Sequence, residues 1–448
     1  MKRLVVLGAG ESGVGAAILA KVKGYEVFVS DMGEIKPHYM ALLDQHGLPY
    51  ESGHHTAELI LNADEVVKSP GIPDSAPMVK ALIEQGTPII SEIEFASRYT
   101  QAKMICITGS NGKTTTTSLI YDMLRRAGLD VGLAGNIGNS LALQVAQHDR
   151  QYYVIELSSF QLDNMYDFHA NVAILLNITP DHLDRYNYEF QNYIDAKMRI
   201  IRNQRHEDAL IYWAGDPILD REIEKLHPTA TLYPFGEEVA QNAAYVERGQ
   251  MVVKAFKPLE LPVELLSLKG KHNQYNSMAA AITAQLLHIK NDVIRESLTR
   301  FEGVEHRLQY VATVRGVRWI NDSKATNVNS CWYALEAMNT PTVLILGGKD
   351  KGNDYSEIDE LVKQKCHTLV FMGLHNEKLI EHFAALGYSP DGERRYIDTH
   401  TLADAVQACY EAAHDGDTVL LSPCCASFDL FKSYEDRGQQ FMKAVREL

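Results

Sequence analysis

The sequence predicts an α/β protein of three domains, each with a parallel sheet covered by helices. Two patterns and one length predict it. Short apolar runs of strand length alternate with longer helical stretches along the chain, the arrangement of βαβ units. Two of those runs feed glycine turns that open into helices, at 8–13 and at 109–112. A chain of 448 residues is also long enough for about three domains.

Taken in order, residues 3–7 (RLVVL) read as a buried strand that feeds Gly8-Ala-Gly10-Glu11-Ser12-Gly13. A small-residue helix is expected over 14–23. The next strand, 25–30, ends at Asp31, at the ~20 residues past the glycines where an acidic side chain meets a ribose. These residues specify a nucleotide carrying phosphate. NAD, FAD and another nucleotide diphosphate all stay open, as does a purely structural use of the glycines in helix–strand packing. Further units follow at 65–68, which ends in Ser-Pro-Gly at 69–71, and at 88–90. The acidic helical stretch 91–99 marks a boundary, so a Rossmann-like domain is expected over 1–91.

Residues 104–108 form the next strand, and Gly109, Ser110, Asn111 and Gly112 are too flexible and polar to continue it. Lys113, Thr114 and Thr115 then open a helix that runs to 124. Such a turn cradles a nucleoside triphosphate: free backbone N–H groups face the phosphates, the lysine reaches the terminal ones, and a threonine hydroxyl binds Mg²⁺. The general pattern wants a further glycine where this chain has Ile107. The strand 152–157 carries Glu156 near its end, and the strand 172–178 leads to Thr-Pro-Asp-His with His182. Ligand sites in open α/β sheets lie beyond the carboxyl ends of strands, so both side chains belong beside the phosphate loop as candidate metal ligands. A helix over 188–202 carries Lys197. Residues 204–262 read as β-rich with no legible chemistry, and Gly270 to Asn276 precede an alanine-rich helix. The central domain, 92–302, is expected to be P-loop ATPase-like.

The third domain, 303–448, is expected to be a doubly wound, Rossmann-like parallel sheet. Its strands lead into loops at 321–326, 347–351, 373 and 422–427, which carry Lys324, Lys349 and Lys351 as cations for an anionic substrate. The net charge of −15 argues against non-specific nucleic-acid binding. Six cysteines without CxxC or zinc spacing favour a reducing compartment. No signal peptide is legible, and no stretch reaches the roughly 18 apolar residues of a membrane span. A cytoplasmic monomer is expected.

Together these motifs resemble the Mur ligase family, ATP-dependent enzymes that build the peptide of the bacterial cell-wall precursor. The resemblance runs along essentially the whole chain. It rests on Thr-Gly-Ser-Asn-Gly-Lys-Thr at 108–114, Asn136 in Gly-Asn-Ile-Gly, Glu156 in Glu-Leu-Ser-Ser-Phe-Gln, and His182 in Asn-Ile-Thr-Pro-Asp-His. It continues through Lys197, His272, Asn273, Asn276, Glu305-His306-Arg307 and Asp-Ser-Lys-Ala-Thr at 322–326. Within the family the likeness is to members that add D-glutamate to UDP-N-acetylmuramoyl-L-alanine. The fingerprint at 8–13 and the 422–431 segment support this, as does the lack of the Asp-Asn-Pro-Arg motif of the diaminopimelate- or lysine-adding members.

The resemblance implies two Mg²⁺ ions on Thr114, Glu156, His182 and Lys197, the last as a carbamate. It implies Lys113, Glu156, His182 and Lys197 as the catalytic set, and ATP held by residues 109–115 with Asn273 at the adenine, Arg307 at phosphate and Asp322 at the ribose. The UDP substrate would meet Gly10, Glu11, Ser12, Gly13, Asp31, Asn136, Ser158, Gln161 and His182. Residues 32–33 depart from better-known members at the uracil end. D-Glutamate would meet Lys324, Thr326, Lys351, Ser427 and Tyr434. The competing readings are a folylpolyglutamate synthase, an NAD-dependent oxidoreductase built on 4–31, and a nucleotide-gated binding protein.

Overall fold

Three β-sheets organise the chain. The structure, a computed structural model, describes residues 1–448 apart from 238, 240 and 351. It divides into two compact units, residues 1–266 with 274–301, and residues 267–273 with 302–448. No helix among the described residues is long and apolar enough to cross a membrane.

The first unit holds two of the sheets. One has five parallel strands in the order Tyr50–Ser52, Glu26–Asp31, Arg3–Leu7, Glu65–Lys68, Ile89–Ile90. Leu4, Val5 and Val6 are fully buried, as a parallel strand covered on both faces must be. The strand order reverses between Arg3–Leu7 and its neighbour Glu65–Lys68, which opens the crevice where such sheets bind ligands. The following helix, Glu11–Val22, starts earlier than the expected residue 14 because Gly13 and Gly15 lie inside it. A Cβ at Gly13 would overlap the Gly8 carbonyl oxygen, and one at Gly15 would overlap Ser140 Oγ. Both glycines serve close approach, so the helix absorbs them despite their low propensity.

The second sheet has nine strands, with Lys103–Thr108 between Val172–Leu175 and Tyr152–Glu156. The segment read only as β-rich extends it outward through Ala209–Trp213, Thr231–Gly236 and an antiparallel meander, Ala244–Glu247, Gln250–Val253 and Leu259–Pro262. It also contains a helix, Pro217–Leu226, with Pro at its first turn and the Asp216 carboxylate accepting from Ile218 N and Leu219 N. The two sheets share one apolar core, in which Ala16, Ala17 and Leu19 of the first helix join Leu141 and Ala142 of Leu141–Gln147.

The second unit has six strands in the order Gln309–Val314, Val317–Asn321, Thr418–Cys424, Thr342–Gly347, Cys366–Met372, Arg395–Thr399. All neighbours are parallel except the first pair. That edge hairpin corrects the expectation of a wholly parallel sheet. Its two-residue turn is Arg315-Gly316, both at positive φ (52° and 78°), the mirror-image turn that fits strand twist. Arginine is an unusual first residue there, which hid the hairpin. Every cysteine is a buried free thiol.

Candidate active site

The two glycine turns of the first unit stand at the carboxyl ends of their strands. At the first, Asp31 closes back on the loop: one carboxylate oxygen accepts from Ala9 N at 2.6 Å and the other from Gly33 N at 2.8 Å. Glu11, at the helix start, accepts from Ser140 N at 3.1 Å, while Gly10 is exposed and Ser12 half-buried. Asp31 therefore ties the fingerprint loop with one oxygen and its own following turn with the other.

At the second turn, Gly112 (φ 84°) precedes the helix Lys113–Arg126, a left-handed conformation that favours glycine. A Cβ there would overlap Asn276 Oδ1. The loop is bracketed by the strand-end residues that follow Val172–Leu175. Asn177 accepts from Asn111 N at 2.8 Å through Oδ1 and donates to Asn111 O at 3.0 Å through Nδ2. Ser110 Oγ donates to Thr179 O at 2.8 Å and accepts from Thr179 N at 2.9 Å, with Tyr193 OH 3.1 Å away. Thr114 and Thr115 are buried at the helix start.

Cations and a carboxylate converge on this loop. Lys113 Nζ donates to Gly109 O and Ser110 O, both at 2.9 Å, and Lys197 Nζ donates to the same Gly109 O at 2.7 Å. Lys197 comes from the helix Phe190–Met198 and is 1% exposed. Burial, and then the neighbouring Lys113 charge, hold its pKa well below the ordinary lysine value, against the opposing pull of Asp181, Glu156 and Asp163. An ammonium taken out of water costs several kcal/mol, whereas a neutral amine donating one hydrogen bond gains about 1 kcal/mol. Burial therefore disfavours the ammonium and shifts the balance toward the neutral amine. Glu156 is 1% exposed. Its Oε1 accepts from Asn136 Nδ2 at 2.9 Å, and its Oε2 is buried without a hydrogen-bond partner. Such an orphan oxygen costs free energy unless a ligand completes it. Gly135 (φ 98°) is fitted against the Glu156 carbonyl, which places Asn136.

His182 sits at a left-handed position (φ 53°), 3.7 Å from an Asp181 oxygen and edge-on to Phe160 at 5.0 Å. Arg185 stacks over that Phe160 ring at 4.4 Å and donates to Pro70 O and Gly71 O, so this loop meets the Ser-Pro-Gly turn of the five-stranded sheet. Ser158 and Gln161 close a capping box on the short helix Ser159–Asp163, so each already satisfies the other.

In the second unit two pairs of predicted residues meet, Asp322 with Arg307 and Lys324 with Tyr434. Asp322 is fully buried, accepting from Ser422 Oγ at 2.9 Å and Leu308 N at 3.2 Å, with the Arg307 guanidinium 3.8 Å away. Burial pushes its pKa up to about 6 against the Arg307 charge. Its oxygens face inward, where they support Arg307. Lys324 Nζ donates to Tyr434 OH at 2.9 Å and lies 4.8 Å from the centre of that ring. Thr326 is half-buried at the same loop, and Ser427 is 2% exposed. Asn273 Nδ2 donates to Lys269 O at 2.8 Å, and His272 is held neutral by burial, its pKa lowered to about 4. Lys351 lies outside the described residues.

Sequence reasoning missed the supports. Asn177 and Tyr193 set the phosphate loop, and the first was visible only as part of a motif. Arg437 donates to Ser323 Oγ and Ser323 O at 2.9 and 2.8 Å, pinning the 322–326 loop from inside the sheet. Nothing in a helix of mixed charge announced that Arg437 would be 1% exposed.

Comparison with known proteins gives a consistent picture. The Mur ligase MurD-like N-terminal domain matches residues 2–91, the Mur ligase middle domain 107–284, and the Mur ligase glutamate ligase domain 306–425. A UDP-N-acetylmuramoylalanine–D-glutamate ligase of Bacteroides fragilis is 64% identical over all of both chains. The protein of that name from Porphyromonas gingivalis is 57% identical over 99% of this chain and 98% of its own. Among solved structures, UDP-N-acetylmuramate-alanine ligase from Thermotoga maritima aligns with a TM-score of 0.64 at 19% identity, over 100% of this chain and 99% of that one. FolC of E. coli aligns with a TM-score of 0.60 at 18% identity, over 84% and 100%, so the fold alone does not separate the two chemistries. Full-length identity at this level does what fold cannot, and it places the chain in the Mur ligase family.

Proposed function

We propose that this protein joins D-glutamate to UDP-N-acetylmuramoyl-L-alanine at the expense of ATP, in the cytoplasmic synthesis of the peptidoglycan precursor. The observation that carries this reading is full-length identity to relatives of that name. The fingerprint sheet of residues 1–91 holds the UDP sugar, residues 92–302 hold ATP, and residues 303–448 hold D-glutamate. The protein works as a monomer.

A carboxylate cannot be joined to an amine until its oxygen becomes a leaving group. The substrate's alanyl carboxylate attacks the γ-phosphorus of ATP, giving an acyl phosphate and ADP. The D-glutamate amine then attacks the carbonyl, and phosphate departs. The first step brings an anion onto a polyanion, so positive charge must be in place beforehand. Lys113 supplies it once its amine leaves the Gly109 and Ser110 carbonyls for the terminal phosphates. The backbone N–H groups at the turn receive the phosphates, with Asn177 holding the loop open.

The donor set fits Mg²⁺, a hard cation that prefers oxygen: Glu156 offers a buried oxygen with no other partner, and Thr114 a hydroxyl. Two ions would be held by Thr114, Glu156, His182 and Lys197, and would neutralise charge on the transferring phosphoryl group. Lys197 suits this role as a carbamate, because the neutral amine is the form that takes up CO₂. Asn136, His182 and the 10–13 turn receive the UDP substrate, while Ser158 and Gln161 act by closing the turn beside it. Lys324, Thr326, Lys351, Ser427 and Tyr434 receive D-glutamate. Asn273 and Arg307 meet ATP, Arg307 being held by Asp322.

One assay tests the reading. Phosphate release should require both UDP-N-acetylmuramoyl-L-alanine and D-glutamate, with L-glutamate, L-lysine and meso-diaminopimelate far poorer. Comparable turnover with any of these three would remove the D-glutamate assignment. A folate substrate supporting release would favour the FolC-like reading, and tight NAD binding by calorimetry would favour an oxidoreductase.

A further inference from the structure

Three side chains outside the ligase machinery meet at the amino-terminal edge of the sheet in the second unit. His367 lies at the start of the strand Cys366–Met372, Asp417 just ahead of Thr418–Cys424, and His414 in the turn after the helix Leu402–Ala412. His367 Nε2 is 3.0 Å from an Asp417 oxygen, and His414 Nδ1 is 3.5 Å from the same oxygen. Donor atoms of all three lie within 4.8 Å of one another. Ligands on a tetrahedral zinc, at about 2.0–2.2 Å from the metal, stand roughly 3.3–3.6 Å apart. The His414–Asp417 separation falls in that range, and a small opening of the 3.0 Å His367–Asp417 contact would bring it there too.

The surroundings support this geometry. His367 Nδ1 lies 2.9 Å from Thr368 Oγ1, an outer partner that orients the ring and turns Nε2 toward the carboxylate. Asp417 is 5% exposed and is held by the His414 backbone, whose N–H donates to its carboxylate at 2.7 Å and whose carbonyl accepts from Asp417 N at 3.0 Å. The His414 side chain is 82% exposed, so a hydrated ion can reach the cluster. Two imidazoles and one carboxylate suit borderline cations such as Zn²⁺, Ni²⁺ and Cu²⁺, whereas Mg²⁺ and Ca²⁺ prefer all-oxygen sets.

We propose that His367, His414 and Asp417 form a second metal site, for a first-row divalent cation of the zinc class, with a fourth position open to water. The loops at 322–326 and 422–427 lie at the opposite, carboxyl-terminal end of the parallel strands of this sheet. The ion thus acts on the fold: it ties the 413–417 turn to the strand Cys366–Met372, and stabilises the folded protein by mass action.

The experiment uses the full chain in excess Mg²⁺, with Zn²⁺ as the probe and a chromogenic chelator as competitor. One Zn²⁺ per chain should be retained, with a rise in melting temperature. His414→Gln, at an exposed side chain, should fold normally and weaken retention by more than the roughly 10–100-fold that loss of an outer-shell partner costs. Asp417→Asn should do the same. With Cu²⁺ as a second probe, the electron paramagnetic resonance spectrum should show coupling to two imidazole nitrogens in the native protein and one in His414→Gln. Native protein that yields all its Zn²⁺ to the chelator, or a His414→Gln variant that titrates like native, would overturn the site and leave a hydrogen-bonded strand cap.

Discussion

The two glycine turns of the first unit are built alike and finished differently. Each follows a buried parallel strand, opens a helix, and uses glycines where a Cβ would collide with the loop's own neighbourhood. At 8–13 the nearby carboxylate, Asp31, spends both oxygens on backbone N–H groups. At 109–112 the nearby carboxylate, Glu156, keeps an unpartnered oxygen, and two lysine amines donate to one carbonyl. A glycine turn says where phosphate can sit; the unused valence around it says whether anything happens to that phosphate. On the proposed function, the first turn would hold a ligand and the second would react with one.

The sharpest way to break that comparison is Lys113→Ala. It removes charge needed as the anion meets the polyphosphate, so acyl-phosphate formation should fall by about 10²–10³-fold or more. Binding of UDP-N-acetylmuramoyl-L-alanine by calorimetry should survive. If Lys113→Ala lost the UDP sugar and kept turnover, the two turns would have exchanged roles.

Lys197 comes next. Lys197→Ala should lose most activity with the fold intact, and Lys197→Arg should fare no better, since arginine carries a fixed charge and cannot form a carbamate. Native enzyme given ¹³C-bicarbonate should show a carbamate carbon by NMR. A fully active Lys197→Arg enzyme would make Lys197 a packing residue of the loop.

A third test addresses the seam between the turns. Glu92 is buried, and its Oε1 accepts from Ser140 Oγ at 2.7 Å and Ala142 N at 2.5 Å, beside the helix that follows the first turn. Burial outweighs those hydrogen bonds and pushes its pKa up to about 7. A carboxyl raised in the folded state holds its proton longer there than in the unfolded chain. Its contribution to stability is full below about pH 4.5 and is lost as pH rises through 7. Glu92→Gln keeps an acceptor for both donors and cannot ionise. Its melting temperature should match native at pH 5 and exceed it at pH 8, and equal differences at both would show that Glu92 does not titrate in this window.

What was legible follows from which residues have few alternatives. Gly112 at positive φ before Lys-Thr admits few other uses, so the phosphate loop was readable despite Ile107. Glu156 could be placed at a strand end, but an orphan oxygen is a property of three-dimensional packing and could not. The same holds for Asn177 and Arg437, whose partners lie 66 and 114 residues away. The Arg315-Gly316 hairpin was hidden because the residue pair is uncommon there. Ser158 and Gln161 show that one spacing can carry two readings: Ser-x-x-Gln is a capping box here, and the resemblance also assigns both residues to the substrate.

That pair supplies the mildest test. Ser158 Oγ accepts from Gln161 N at 3.3 Å and donates to Gln161 Oε1 at 3.0 Å, so the hydroxyl is used in both directions. Removing such a cap costs about 1 kcal/mol, which in a protein of this size shifts melting by a few degrees at most. Ser158→Ala should therefore lower the melting temperature slightly and leave the KM for UDP-N-acetylmuramoyl-L-alanine unchanged, while Ser158→Thr, which retains a cap, should restore the melting temperature. The substrate reading makes the opposite forecast, a raised KM with melting unmoved. Both measurements come from one pair of variants, and the outcome decides whether the turn after Glu156 touches the substrate or only holds the residues that do.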